Sequence, residues 1–410
     1  MEPLVEPIGL VAPAGLKGVI VAETTVGDVR GREGFYHYRQ YSAIDLAEKR
    51  TLEDVWQLMI DGHLPTTKVQ RESFAAETTL LGHLSPAVMT VLPAIAKVSE
   101  PLEGLRTAIS LAAAEHGMQP NIDISPAARR QDALFLTAIT PPLLCALYRL
   151  RHDLPVVTPE PERGYANNYV LMMTGREASP EHVRAVEQYL ITTIDHGFNA
   201  STFTARVVAS TGADLGACVT AAIGALSGPW HGGAPSRALA LLDEVGTPDR
   251  IEQVVRPLIE RGDKVMGFGH PVYKTDDPRS VFLRGVARSL VIDDRSRQLV
   301  DCAEAVEAGV FRLLAELKPG RELHTNVEFY AGVVMELEMS PKPCGPSWLT
   351  ASTCALRHSP HDVHPDICVQ SRHWVVRQHL GAGRRQQNHP SERQICRYKP
   401  AATRTTRALT

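Results

Sequence analysis

The stretch Ala133-Leu-Phe-Leu-Thr-Ala-Ile-Thr-Pro-Pro-Leu-Leu-Cys-Ala-Leu147 contains no charged side chain. Wound as a helix, it is small or aliphatic around most of its circumference, and a helix apolar on nearly every side is buried on nearly every side. Ala108–Ala114 and Val207–Leu226 read the same way. Such helices belong at the centre of a large domain or in a subunit interface. The pattern predicts a mainly α protein.

Around these segments the helix signals are local. Thr51-Leu-Glu-Asp54 has the form of a capping box, and Leu52, Val55, Trp56 and Met59 follow on one face before Gly62 and Pro65. Ser85-Pro86 and Ser179-Pro180 pair an N-cap with a first-turn proline, the second leading into Val183, Val186, Leu190 and Ile194. Thr247-Pro248 opens a helix with Ile251, Val254, Val255, Leu258 and Ile259 inward, Pro257 as a kink and Gly262 past its end. Strand signals are confined to the start. Leu16–Thr25 alternates, with Gly34–Arg39 as its expected hairpin partner, so a small N-terminal β element is expected.

The chain has 410 residues, long enough for more than one core. Its 44% hydrophobic and 22% charged residues are ordinary for a globular protein. No window holds the roughly 18 uninterrupted apolar residues of a membrane helix, so no membrane is expected as a partner. The acidic start Met1-Glu-Pro-Leu-Val-Glu-Pro7 differs from a basic targeting peptide, and seven cysteines show no paired spacing. Both fit a cytoplasmic protein.

Charge divides the chain. Residues 338–410 hold nine Arg and two Lys against two Asp and two Glu, which sets +7 against −10 for the rest of a chain whose total is −3. Only ten of those 73 residues are Leu, Ile, Val or Phe, below the roughly 20% that supports a core, so this basic tail reads as disordered. Its Cys354, His358, His361, His364 and Cys368 superficially resemble zinc ligands, but no foldable module frames them, and no metal is expected. Its charge could attract nucleic acid only non-specifically.

Four places could carry chemistry. Asp195-His-Gly-Phe-Asn-Ala-Ser201 puts His196 and Asn199 between two helices, and Gly228-Pro-Trp-His-Gly-Gly233 presents His231 beside a Gly-Gly step. Met266-Gly-Phe-Gly-His270 holds His270 in a loop made bendable by Gly267 and Gly269, nine residues before Arg279 in an Asp-Asp-Pro-Arg turn. Asn326-Val-Glu-Phe-Tyr330 carries Glu328. Singly, each has a plainer reading: a solvated loop histidine, a surface turn arginine, a surface glutamate. Together, two imidazoles, a carboxylate and an arginine supply what carbon–carbon bond formation through an enol requires. The carboxylate removes a weakly acidic proton, one histidine steadies the enolate oxygen, the other polarises a carbonyl, and the arginine clamps a carboxylate.

In these blocks, and in Tyr38-Arg-Gln-Tyr-Ser-Ala-Ile-Asp-Leu-Ala47, the chain from about Leu16 to Leu337 resembles citrate synthase and its bacterial 2-methylcitrate synthase relatives. The resemblance implies a two-domain helical homodimer, with a large domain over residues 1–230 and a small domain over 231–337 that carries the catalytic loops. It implies acetyl-CoA and oxaloacetate as substrates and citrate and CoA as products, with no cofactor beyond these. By position, His231 is expected at the thioester oxygen, His270 at the ketone of oxaloacetate, and Glu328 as the base. His196, Asn199 and Arg279 are expected to hold oxaloacetate. Gly267, Phe268, Gly269, Val272, Tyr273, Lys274 and Asn326 are expected to line the CoA site.

The departures are specific. Glu328 stands where most relatives have aspartate, Pro271 where arginine is common, and Gln40 where glycine is common. The resemblance breaks near Leu337. The Ala-Arg-x-x-Gly-Trp block and the later Arg-Pro, whose arginines bind citrate in relatives, are absent. The abrupt change in composition looks like a shift of reading frame. Two alternatives to citrate formation follow: use of propionyl-CoA to make 2-methylcitrate, and an impaired helical dimer that only binds acyl-CoA or a partner.

Overall fold

The computed structural model describes residues 12–13, 16, 19–228, 231, 234–270, 272–320 and 323–338. Cys354, His358, His361, His364, Cys368 and nearly all of the basic tail lie outside these residues, as does Pro271.

The fold begins with a three-stranded antiparallel sheet, β1 (Gly27–Arg30), β2 (Phe35–Tyr38) and β3 (Tyr41–Ser42), in the order β1-β2-β3. Fifteen α-helices follow among the described residues. They are α1 (Ala43–Lys49), α2 (Leu52–Asp61), α3 (Lys68–Leu81), α4 (Pro86–Val98), α5 (Pro101–His116), α6 (Pro126–Arg151), α7 (Tyr165–Thr174) and α8 (Pro180–Thr192). The second half adds α9 (Ala200–Ala209), α10 (Leu215–Leu226), α11 (Ala234–Val245), α12 (Ile251–Arg261), α13 (Pro278–Ser289), α14 (Asp294–Leu317) and α15 (Val327–Glu338). The mainly α reading stands.

The segment that predicts the fold forms the middle of α6, against which α3, α4, α5, α7 and α10 pack. By length and composition α6 could cross a membrane, yet 89% of its apolar window is buried within the protein. It is the central core helix. A second group, α11 to α15, packs mainly on itself, with α13 and α15 in contact with α8.

The helix starts follow the local signals. Ser85 Oγ accepts from the Val88 amide at 3.1 Å and Ser179 Oγ from His182 at 3.4 Å, each followed by its proline. Thr51 Oγ1 accepts from Asp54 at 3.3 Å, and the whole run Leu52–Ile60 is buried. A 3₁₀ turn, Pro248–Arg250, precedes α12, which ends at Gly262 in the left-handed conformation.

Two expectations are corrected. The strand does not lie in Leu16–Thr25 but begins at Gly27, pairing Gly27 with Tyr38 and Arg30 with Phe35. Alternation alone did not set the register. It is set where Tyr36 and Tyr38 point inward and donate to the carbonyls of Thr192 and Ile191 at 3.0 and 2.7 Å, pinning the sheet to the end of α8. Nor is Val207–Leu226 one helix. α9 ends at Ala209, Gly212 turns the chain at φ +83°, and Asp214 caps α10 through a 2.8 Å bond from the Ala217 amide.

Candidate active site

His196, His270, Tyr273 and Arg279 come together between the end of α8 and the loop before α13, and Asn326 ties the start of α15, with Glu328, to that loop. The glycine-rich loop is fastened first. Gly267 and Gly269 take φ +86° and +88°, backbone shapes that other residues rarely adopt. Phe268 bridges Thr325, the Gly269 amide donates to the His324 carbonyl at 2.8 Å, and the Asn326 amide donates to Gly267 at 2.9 Å. Asn326 completes the staple: its Nδ2 donates to the Gly269 carbonyl at 3.1 Å, and its Oδ1 accepts from the Glu328 amide at 3.1 Å. The loop carrying His270 is thereby tied to the first turn of α15, which carries Glu328. A carboxylate in a first helical turn faces the positive end of the helix dipole.

His270 follows directly. Its Nδ1 accepts from the amides of Val272 at 3.0 Å and Tyr273 at 3.2 Å. A ring nitrogen that accepts carries no proton, so the neutral imidazole bears its hydrogen on Nε2. Burial, then the positive charge of Arg279, pushes the His270 pKa down to about 4. At neutral pH the ring is an uncharged Nε2–H donor. Arg279 Nη2, which can only donate, lies 3.3 Å from that nitrogen and so competes there with the Nε2–H.

Arg279 is almost wholly buried near the start of α13, where Asp277 is the N-cap and Pro278 the first residue. Its Nε and Nη2 grip the two Asp277 carboxylate oxygens at 3.0 and 2.7 Å. Coulombic attraction and hydrogen bonding from Asp277 outweigh burial and keep the guanidinium charged. Half of its fork is thus already engaged, which the sequence did not reveal.

His196 lies against the same cluster. Its ring centroid is 5.2 Å from that of His270, 5.4 Å from Tyr273 and 5.6 Å from Tyr36, and its Nε2 is 3.0 Å from the Tyr273 hydroxyl. Burial raises the Tyr273 pKa, so the phenol is neutral. Tyr273, expected at the CoA site, is therefore packed inward against the histidines, while Val272 and Lys274 beside it are exposed.

His231 occupies a separate corner. Its Nε2 lies 2.9 Å from Ser201 Oγ, which also lies 2.8 Å from Asn199 Oδ1. Asn199 is the N-cap of α9, its Oδ1 accepting from the Thr202 amide at 3.0 Å. Its carboxamide oxygen thus orients Ser201 and the helix, a role distinct from the substrate contact expected of it. Ser201 was missed by sequence reasoning, although its place two residues after Asn199 was visible.

A cleft of about 790 Å³ between α1, α8 and α13, lined by residues such as Ile44, Gln188 and Phe282, contains none of the expected site residues. Hydrogen-bond geometry, not cavity size, marks the site. Among the described residues, no group of three His, Cys, Asp or Glu side chains could hold a metal ion.

Comparison with known proteins places the chain in a family. The family "Citrate synthase, C-terminal domain" matches residues 15–351. A citrate synthase of Deinococcus radiodurans is 33% identical over 321 residues, 78% of this chain and 83% of its own length. A 2-methylcitrate synthase of Shewanella oneidensis is also 33% identical, over 77% of this chain and 81% of its own. The citrate synthase of Thermoplasma acidophilum, solved in ternary complex with carboxymethyl coenzyme A and oxaloacetate, superposes with a TM-score of 0.76 at 26% identity, covering 95% of this chain and 98% of that one. This chain belongs to the citrate synthase family and is a condensing enzyme of its acyltransferase type.

Proposed function

We propose that the chain condenses acetyl-CoA with oxaloacetate and water to give citrate and CoA. The observation that carries this reading is the neutral His270, whose capped Nδ1 leaves an Nε2–H beside Arg279 and His196. A carboxylate substrate held by Arg279 would present its ketone oxygen to that donor.

In this mechanism Glu328 takes a proton from the acetyl methyl group, and His231 donates a hydrogen bond to the thioester oxygen as the enol forms. The Ser201 hydroxyl has one proton and two neighbours, Asn199 Oδ1 and His231 Nε2. The proton goes to Asn199 Oδ1 at 2.8 Å, so the hydroxyl oxygen stands 2.9 Å from His231 Nε2 and steadies the ring through that contact. The enol carbon then attacks the ketone carbon of oxaloacetate, and the new alkoxide takes the Nε2 proton of His270. Water cleaves the resulting citryl thioester, releasing CoA and a carboxylate. The proton gained by Glu328 balances the one lost by His270.

A second reading has its own support, because the 2-methylcitrate synthase relative matches as well as the citrate synthase one. Acetyl- and propionyl-CoA differ by one methylene, worth only about 1–3 kcal/mol of discrimination. Initial rates of CoA release with each thioester and oxaloacetate test both. Faster turnover with propionyl-CoA would move the assignment to 2-methylcitrate. Release with neither, together with a thermal shift on adding oxaloacetate and CoA, would leave a binding protein.

A further inference from the structure

Glu307 lies in the middle of α14, outside every block that the family resemblance singles out, and is nearly buried. Its carboxylate accepts three side-chain hydrogen bonds from three segments. Thr325 Oγ1 donates to Oε1 at 2.7 Å, while the Tyr330 hydroxyl and Arg284 Nη1 donate to Oε2 at 2.7 and 3.0 Å. Ser280 Oγ in turn donates to Thr325 Oγ1 at 2.9 Å. Every partner donates, and three of the roughly four acceptor positions of the carboxylate are in use.

The partners are not scattered. Tyr330 lies two residues after Glu328, and Thr325 adjoins Asn326, which caps the turn that carries Glu328. Ser280 and Arg284 lie on α13, directly after and just beyond Arg279. One buried carboxylate therefore ties the start of α15 to the start of α13. Resting on the function proposed above, we propose that Glu307 is a positioning residue: through Thr325 and Tyr330 it fixes Glu328, the base, relative to Arg279, which holds oxaloacetate. A displacement of about 1 Å between such groups is enough to cost on the order of 100-fold in rate.

The amide of glutamine has one acceptor oxygen and turns two N–H donors toward donors, so Glu307→Gln breaks the network with almost no change in volume. Thr325→Val removes the bridging hydroxyl and keeps the branched shape, whereas Thr325→Ser restores the hydroxyl. The test is steady-state kinetics of the full-length chain and these variants, with ordinary acetyl-CoA and with acetyl-CoA deuterated in its methyl group. For Glu307→Gln and Thr325→Val, kcat is expected to fall at least ~10-fold with the oxaloacetate KM within about threefold of wild type. Their deuterium isotope effect rises, because proton removal becomes slower than the steps after it. Thr325→Ser stays within about threefold of wild type.

If Glu307→Gln does not fold, the two Thr325 variants decide the matter. A lowered melting temperature with unchanged kcat per folded molecule and an unchanged isotope effect overturns the proposal, as does Thr325→Ser behaving like Thr325→Val. A wild-type chain that releases no CoA overturns the functional reading, and this role with it. That outcome is distinct, since it appears before any variant is compared.

Discussion

The Val272 amide donates to the Nδ1 of His270 at 3.0 Å, closing a turn in which the imidazole ring is held by the backbone two residues ahead of it. The Tyr273 amide adds a second bond at 3.2 Å. Burial, then the positive charge of Arg279, favours the neutral ring and lowers its pKa to about 4 from an ordinary 6.5, and both amide bonds need Nδ1 unprotonated. In the unfolded chain this histidine takes up a proton below about pH 6.5, while the folded chain refuses it until about pH 4. Stability attributable to His270 is therefore complete above pH 6.5 and is lost as the pH falls toward 4. Relative to His270→Gln, the wild type is expected to lose roughly 2 kcal/mol between pH 6.5 and 5, measured by urea unfolding. Nitrogen-detected NMR should show a single Nε2–H tautomer across that range. A His270 that titrates near 6.5 would contradict the geometry.

Arg279 and Asp277 are both almost wholly buried and share two hydrogen bonds. Asp277→Ala leaves a buried charge without its partner, so a stability loss of about 3–5 kcal/mol is expected in chemical unfolding. Arg279→Lys keeps the charge but replaces a planar fork with a single point donor that cannot serve both Asp277 and a substrate carboxylate. The oxaloacetate KM is expected to rise at least ~10-fold, with the acetyl-CoA KM nearly unchanged. An equal rise in both would place Arg279 outside the oxaloacetate half of the site.

What the sequence made legible was local. Ser85, Ser179 and Thr51 announce helices because a cap bonds within three residues of itself. Gly267 and Gly269 mark the His270 loop because only a left-handed backbone fits there. Partnerships across the fold were not legible. Glu307 sits in a helix whose pattern explains it equally well as a surface charge, and its partners Thr325 and Arg284 are distant in sequence. The β1 register failed for the same reason: alternation in Leu16–Thr25 is a local property, whereas the inward hydroxyls of Tyr36 and Tyr38 are anchored on α8, some 150 residues away. The break between α9 and α10 did have a signal. Thr211-Gly-Ala-Asp214 is a glycine turn followed by an N-cap, and uniform hydrophobicity on both sides concealed it.

Ser201 Oγ lies 2.9 Å from the Nε2 of the His231 ring. Ser201→Ala leaves the α9 cap at Asn199 in place and removes the hydroxyl beside the imidazole Nε2. The expected result is a kcat lower by roughly tenfold or more, with the acetyl-CoA KM within about twofold. Ser201→Thr, which keeps the hydroxyl, should recover part of the loss. A rise in KM alone would show that Ser201 contributes to binding and not to the orientation of His231.

Residues 338–410 lack both of the arginine blocks with which the family holds citrate. If Arg279 holds oxaloacetate as proposed, it does so with one side of its fork already taken by Asp277. Weak activity and poor solubility are expected of the chain as it stands. Replacing 338–410 by a family-like ending should raise the rate of CoA release, and unchanged activity after that repair would remove the tail from the argument. Reading the coding sequence around codon 337 in all three frames tests the frame shift directly.

The turn between β1 and β2 bears on the site from outside. The Lys274 amide donates to the Gly31 carbonyl at 3.0 Å, and a Cβ on Gly31 would lie 2.2 Å from the Val272 carbonyl oxygen. No side chain fits in that gap, and the obstructing atom is backbone in the very turn whose amides hold His270. Gly31→Ala must therefore move either the hairpin or the His270 turn. The hairpin is tied down by Tyr36 and Tyr38, so the exposed turn at Val272 is expected to yield. The predicted outcome is a kcat loss of ~10-fold or more, accompanied by loss of the single His270 tautomer in the NMR spectrum. Gly285→Ala is the control: it lies within α13, a Cβ there meets nothing within 4 Å, and alanine favours a helix by about 1 kcal/mol. That variant should gain stability and keep its activity. If Gly31→Ala kept both its activity and the His270 tautomer, the hairpin would be a neighbour of the site and not one of its walls.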